Sequence, residues 1–309
     1  STSWWDIRKY LKEFLSDKRV IEVNPFIWQV ILNLIILNLR PSKTAHAYKK
    51  IWMKKTNESP LRFFTRSQAN KISSNISNKN ILVDYAMRYG NPSIKSKLME
   101  LKEKGCENMI VLPLYPQYAA ATTATVCDEV YRSLMQMRWQ PSLQIIPHYE
   151  SDPSYIEALV NSIKKKVSEI DWKPDLILAS YHGIPKSYFD KGDPYQCYCQ
   201  KTTRLMVEKY NDIPIETSFQ SRFGPSEWLK PYTDKTLELL PGKNKKSILV
   251  ICPGFSSDCV ETLEEINIQG RESFINNGGK NFDLIPCLND NDDHINLLTK
   301  LIKKYLISK

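Results

Sequence analysis

The chain alternates between short apolar runs rich in β-branched residues and longer stretches whose apolar positions recur every three or four residues. Seven runs read as strands, at residues 81–85, 109–114, 143–146, 175–181, 213–219, 247–251 and 283–286. Helical periodicity fills the gaps, as in Tyr155, Leu159, Ile163 and Val167 after Asp152-Pro153. Strand and helix in alternation imply parallel sheets covered by helices on both faces, so the fold class is α/β. A polar, turn-rich stretch at 148–153, flanked by Pro147 and Pro153, marks a boundary between two sheets of similar size, in domains 1–147 and 148–289. Residues 292–306 read as an amphipathic helix, and the C-terminal stretch 290–309 is assigned to the first domain. The chain opens on a helix, since Ser3 and Asp6 have capping-box spacing ahead of Ile7, Tyr10, Leu11, Phe14 and Leu15, and a strand is expected upstream of it.

Composition narrows the class. At 309 residues, 42% hydrophobic and 25% charged, the chain has the make-up of a soluble globular protein. The net charge of +9 comes mostly from lysines scattered as in Lys243-Asn244-Lys245-Lys246, a solvated surface rather than a nucleic-acid stripe. Seven cysteines, an odd number in a chain of this length, fit a reducing compartment such as the cytoplasm. Lys9, Lys12 and Glu13 interrupt any secretory signal core. The longest apolar stretch, from Phe26 to Leu39, contains Gln29, Asn33 and Asn38. It falls short of the roughly 20 residues that span a bilayer, but suits a membrane surface.

In open α/β sheets ligands bind beyond the carboxyl ends of strands. There the run 175–181 leads into His182-Gly183-Ile184-Pro185, which makes His182 the leading candidate base; a hydrogen-bonded structural histidine is the alternative. After 247–251 comes Cys252-Pro253-Gly254-Phe255-Ser256-Ser257-Asp258 and a helix whose spacing sets Asp258, Glu261 and Glu265 on one face, with Glu264 beside them. Such carboxylates guide a divalent cation or accept protons, or else cap the helix and satisfy its dipole. Arg88-Tyr89 and Tyr115-Pro116-Gln117-Tyr118 follow two further strands and suit a flat, acidic ligand, although each tyrosine alone equally well roofs a core. Cys197-Tyr198-Cys199 lacks the second pair of a zinc site and reads as structural. Neither a phosphate loop nor a dinucleotide fingerprint is present, since Gly242-Lys243 and Gly278-Gly279 lack the spacing.

At these same places, and over nearly its whole length, the sequence resembles the ferrochelatases. The motifs are Phe14-Leu15-Ser16-Asp17, Arg88-Tyr89-Gly90, Leu114-Tyr115-Pro116-Gln117-Tyr118 with Thr122-Thr123, and Ser180-Tyr181-His182-Gly183-Ile184-Pro185 with Gly192-Asp193-Pro194-Tyr195. To these add Gln220-Ser221-Arg222-Phe223-Gly224-Pro225 with Trp228-Leu229, and the run Ser257-Asp258-Cys259-Val260-Glu261-Thr262-Leu263-Glu264-Glu265. The resemblance implies two doubly wound, Rossmann-like parallel-sheet domains with a porphyrin cleft between them. It implies a lyase-class chelatase that inserts ferrous iron into protoporphyrin IX to form protohaem, the terminal step of haem biosynthesis.

By position, the resemblance makes His182 and Glu261 the catalytic and metal-facing pair. Arg88, Tyr89, Tyr115 and Trp228 become substrate-binding residues, and Asp258 and Glu265 an acidic path. The segment from Phe26 to Leu39 matches a lip that meets the membrane, which implies a cytoplasmic protein peripheral on the inner membrane. Relatives that carry a two-iron two-sulfur cluster place one ligand cysteine just after the Tyr-Pro-Gln-Tyr motif. Here that place is Ala119-Ala120-Ala121, so no cluster and no permanently bound cofactor are expected. Family members normally begin with a strand and a Gly-Pro turn, whereas this chain starts at the following helix. Both pyrrole protons must leave a bent macrocycle as iron enters, and His182 supported by Glu261 is the expected base. Arg88 is expected to act on substrate binding, through KM with kcat preserved. Insertion of cobalt or nickel into another tetrapyrrole, a haem carrier without turnover, and coproporphyrin in place of protoporphyrin are the competing readings.

Overall fold

The computed structural model describes residues 2–306, which divide into two compact units. One comprises the chain up to Pro113, Ala119–Pro147 and the chain from Leu298; the other comprises Leu114–Tyr118 and His148–Leu297. Leu114–Tyr118 joins the second unit because the Ser256 hydroxyl donates to the Leu114 carbonyl (2.8 Å) and the Tyr149 N–H to that of Pro116 (3.0 Å).

The first unit holds helices α1 (Trp4–Leu15), α2 (Pro25–Ile31), α3 (Leu37–Ile51), α4 (Pro60–Ile76), α5 (Ile94–Glu103) and α6 (Thr125–Met135). Its strands β1 (Asn108–Val111) and β2 (Ser142–Ile145) pair in parallel, Met109 opposite Leu143. Helix α1 starts as its sequence dictates: the Ser3 hydroxyl accepts the Asp6 N–H (3.2 Å) and donates to the Asp6 carboxylate (2.8 Å). Ile7, Leu11 and Leu15 then pack against Leu32, Leu37 and Ala45. Residues 81–85, expected as a strand, make no ladder among the described residues. β-Branched side chains favour a pleated surface, but a strand also needs a paired neighbour, which sequence pattern does not supply.

The second unit carries four parallel strands, β3 (Leu176–His182), β4 (Ile215–Gln220), β5 (Ser247–Ile251) and β6 (Asn281–Leu284), in the order β4-β3-β5-β6. The sheets are therefore unequal, four strands against two, where the sequence pattern predicts similar sizes. Helices α7 (Pro153–Glu169), α8 (Lys186–Asp190), α9 (Tyr195–Lys209), α10 (Thr233–Leu239) and α11 (Arg271–Asn276) complete the unit, with a π-helical segment at Glu261–Gly270. Helix α12 (Asp292–Leu306) matches its predicted span; the stretch 307–309 of the expected C-terminal helix lies outside the described residues.

Side chains alternate across β3 and cover both faces of the sheet. Leu176 and Leu178, with Ile248 and Val250 of β5, pack on Leu237, Leu240, Ile266 and Phe274. On the opposite face the Tyr181 hydroxyl meets Thr203 Oγ1 of α9 (3.0 Å), and Thr217 Oγ1 donates to that Thr203 oxygen (2.9 Å). β3 is buried from Leu176 to Tyr181, the continuous run of a strand covered twice. Strand order reverses between β3 and β5, so the carboxyl ends of these two strands flank the switch point where open α/β sheets bind ligands.

Candidate functional site

His182 is the last residue of β3, and its Nδ1 lies 2.6 Å from the carbonyl oxygen of Gly183. A carbonyl only accepts, so Nδ1 carries a proton, and in the neutral tautomer this bond selects, Nε2 is the nitrogen with the lone pair. Gly183 allows the approach that makes this end compact: its N–H donates to Gln220 O (2.8 Å), and a Cβ there would lie 2.9 Å from that oxygen and 3.1 Å from the Trp228 ring. Trp228 is buried, stands 6.5 Å from the His182 ring between centroids, and has no partner for its indole N–H. Phe255, beyond β5, lies at the same ring separation from the imidazole.

The acidic residues divide between two tasks. The π-helical segment opens at Glu261, and its wide turns bring residues four apart onto one line, so Glu261 and Glu265 share a face. Glu264 turns away, is buried and accepts from Gln269 Nε2 at 2.6 Å. The Glu265 carboxylate accepts from Ser221 N–H and Ser221 Oγ, each at 2.6 Å, and lies close enough to feel the charges of His182 and Glu261. Burial raises its pKa above the usual carboxylate value, opposed by the Ser221 bonds and by His182.

Asp258 precedes the segment and is buried with its carboxylate spent inside the protein. Oδ1 accepts from Thr262 Oγ1 (3.0 Å) and the Cys287 N–H (3.3 Å), and Oδ2 from Asn289 Nδ2 (2.6 Å). The Asp258 N–H in turn donates to Asn289 Oδ1 at 2.8 Å. Asp258 thereby ties the loop after β5 to the loop after β6.

Asn289 is itself held in a left-handed conformation (φ 48°), its carbonyl accepting from His294 Nδ1 at 2.6 Å. Burial pushes the His294 pKa down to about 4. An unfolded histidine takes its proton near 6.5 whereas the folded one refuses it until about pH 4, so this stability is present above pH 6.5 and is lost as pH falls through that window. We expect the loss to reach about 3 kcal/mol by pH 4. Urea unfolding of wild type and His294→Gln across that range checks it: the wild-type profile should fall more steeply, and parallel profiles would refute the assignment.

Tyr115 sits on the Leu114–Tyr118 segment that Ser256 holds against the loop after β5. Arg88 and Tyr89 belong to the first unit. There Arg88 Nη2 meets Asp17 Oδ2 at 2.5 Å, Nε donates to Thr125 O (2.8 Å), and Tyr89 OH donates to the same Asp17 oxygen (3.0 Å). The guanidinium also lies 4.3 Å from the centre of the Tyr89 ring. Its charge is matched within the unit, a pairing for which the two separate motifs gave no signal. Cys199, Cys252, Cys259 and Cys287 are buried, which drives each thiol well above its usual pKa. Among the described residues no group of three or more His, Cys, Asp or Glu side chains is placed to hold a metal ion.

A family model described as Ferrochelatase matches residues 1–306. A Rhizobium etli protein named ferrochelatase is 53% identical over 308 residues, covering 99% of this chain and 90% of the relative. One from Francisella tularensis subsp. novicida is 52% identical over 307 residues, covering 98% and 91%. Among solved structures, SirB from Bacillus subtilis with Fe3+ superimposes with a TM-score of 0.60 at 10% identity, over 80% of this chain and 91% of that one, a likeness of fold.

Proposed function

The chain belongs to the ferrochelatase family and inserts ferrous iron into protoporphyrin IX in haem biosynthesis, and on that premise we propose that His182 removes the pyrrole protons and that Glu261 and Glu265 carry them away. The single observation that supports this reading is the place of His182 at the switch point with its Nδ1 held 2.6 Å from the Gly183 carbonyl, which leaves Nε2 as the ring nitrogen outside that bond. Porphyrin loses two N–H protons as Fe2+ takes their place. Each passes to Nε2, and the resulting imidazolium keeps its Nδ1–H bond to Gly183 O. Glu265, whose burial makes it a better proton acceptor than an exposed carboxylate, receives the proton next. His182 and Glu261 are the groups on this face that an entering ferrous ion would meet. Trp228 supplies an aromatic wall with an unused donor, and Tyr115 a second aromatic surface. Asp258 acts as the anchor of the loop that carries Glu261. Arg88 and Tyr89 serve the substrate through the order they give the first unit.

Anaerobic mixing of the protein with protoporphyrin and ferrous iron, or zinc as surrogate, tests the assignment through the optical change on insertion. Turnover by wild type that is lost in Glu261→Gln and Glu265→Gln supports it; unimpaired variants would refute the carboxylate route. No iron–sulfur cluster is assigned, as Ala119-Ala120-Ala121 offers no thiol at the place where cluster-bearing relatives have one.

The protein is assigned to the cytoplasm, in peripheral contact with the membrane through the segment from Phe26 to Leu39. No described helix is long and apolar enough to cross a membrane. In that segment Leu32 and Leu37 are buried on α1, yet Phe26 is 85% and Leu39 72% exposed, with Ile27, Val30, Leu34 and Ile35 also in solvent. An apolar face left open while the opposite face is packed marks a contact surface. Replacing Phe26 and Leu39 together with Asp should weaken sedimentation with lipid vesicles by about tenfold or more, since each buried side chain contributes about 1.5–3 kcal/mol. Unchanged sedimentation would rule the lip out.

A further inference from the structure

β4 ends on Gln220, and the residue that follows it, Ser221, has its backbone at φ 64°, the left-handed region that disfavours any residue with a Cβ. At Ser221 that conformation turns both donors onto one carboxylate, the N–H to Glu265 Oε1 and the hydroxyl to Glu265 Oε2, each at 2.6 Å. Gln220 reinforces the arrangement. Its Nε2 donates to Glu261 O (2.9 Å) and reaches Glu265 Oε2 (3.4 Å), while its Oε1 accepts from Ser180 Oγ (2.8 Å). Gln220 is the register partner of His182, so the two side chains leave the sheet on the same face, towards the segment that carries Glu261 and Glu265. A mostly buried carboxylate keeps its direction only where donors fix it, and paired charge-assisted bonds do so.

We propose that Ser221 is a positioning residue, whose two hydrogen bonds hold the Glu265 carboxylate in the orientation that receives protons from His182. The proposal rests on the reading of Glu265 given above. Ser221→Ala keeps the Cβ and the backbone N–H bond and removes only the hydroxyl. Ser221→Gly removes the same hydroxyl and relieves the left-handed strain, so it folds at least as readily. Both variants should lower kcat for zinc insertion by about 10- to 100-fold with KM for protoporphyrin unchanged, the scale of a misplaced catalytic group. In a Glu265→Gln background Ser221→Ala should cause no further loss, because the group it positions is already gone. An equal loss in both backgrounds, or a raised KM at unchanged kcat, would overturn the proposal as a general structural effect. Normal kcat in Ser221→Ala with an impaired Glu265→Gln overturns the proposal alone. Normal turnover in Glu265→Gln overturns the reading of Glu265 and the proposal with it.

Discussion

His182→Ala should lose metal insertion by about 10²- to 10⁴-fold, the range for removing a general base, while protoporphyrin still binds with its wild-type affinity. The expectation follows from the ring's place at the end of β3, where Nδ1–H is tied to Gly183 O and Nε2 is left as the acceptor. A methyl group there cannot take a pyrrole proton, and in the proposed route Glu265 relays a proton rather than extracting one. Trp228 and Phe255, each 6.5 Å from the imidazole between ring centroids, are unchanged in the variant, so the aromatic wall proposed for the substrate persists. Fluorescence titration of protoporphyrin gives the affinity, and zinc insertion gives the rate; added imidazole should restore part of it. A variant that turns over normally would remove His182 from the mechanism, and one that neither binds nor turns over would make it a structural residue.

The second large effect is on stability. Arg88 and Asp17 have side chains only 11% exposed each, and Tyr89 donates to the same carboxylate oxygen as the arginine. Arg88→Ala leaves the Asp17 carboxylate with only two neutral donors, the Tyr89 hydroxyl and the Arg19 N–H, in a poorly solvated place, a change that costs about 3–5 kcal/mol. The urea midpoint should fall accordingly. The double variant Arg88→Ala with Asp17→Asn should lose less than the sum of the single losses, because it removes the stranded charge. The motif taken alone predicts a raised KM with kcat preserved, through contact with an acidic substrate, and contact with substrate in place of Asp17 would leave the unfolding midpoint unchanged. That outcome would show the arginine meeting porphyrin instead of Asp17, so one unfolding curve and one KM separate the two readings.

Local interactions were legible in the sequence because few residues determine them. Ser3 and Asp6 cap α1 at the spacing their identities require, and the α12 span follows from its apolar periodicity. Six of the seven apolar runs became strands, and His182 at the end of one of them stands at the switch point. Residues 81–85 did not, since a ladder is a property of two segments and only one was visible. Helical spacing also gave no sign of what Asp258 bonds to: it lies before the π-helical segment that opens at Glu261, and its carboxylate accepts from Asn289 and the Cys287 N–H.

By itself, then, the chain determined an α/β architecture, a family, and the identity of the chemical groups, since alternating hydrophobicity and ordered motifs are one-dimensional signals. The tertiary structure decided what each group is free to do. It matched Arg88 with a carboxylate 71 positions away, spent Asp258 on the 31-residue separation to Asn289, and set Ser221 to hold Glu265 across 44 residues. Charge pairing and desolvation depend on distance in space, and no spacing along the chain encodes contacts at that range.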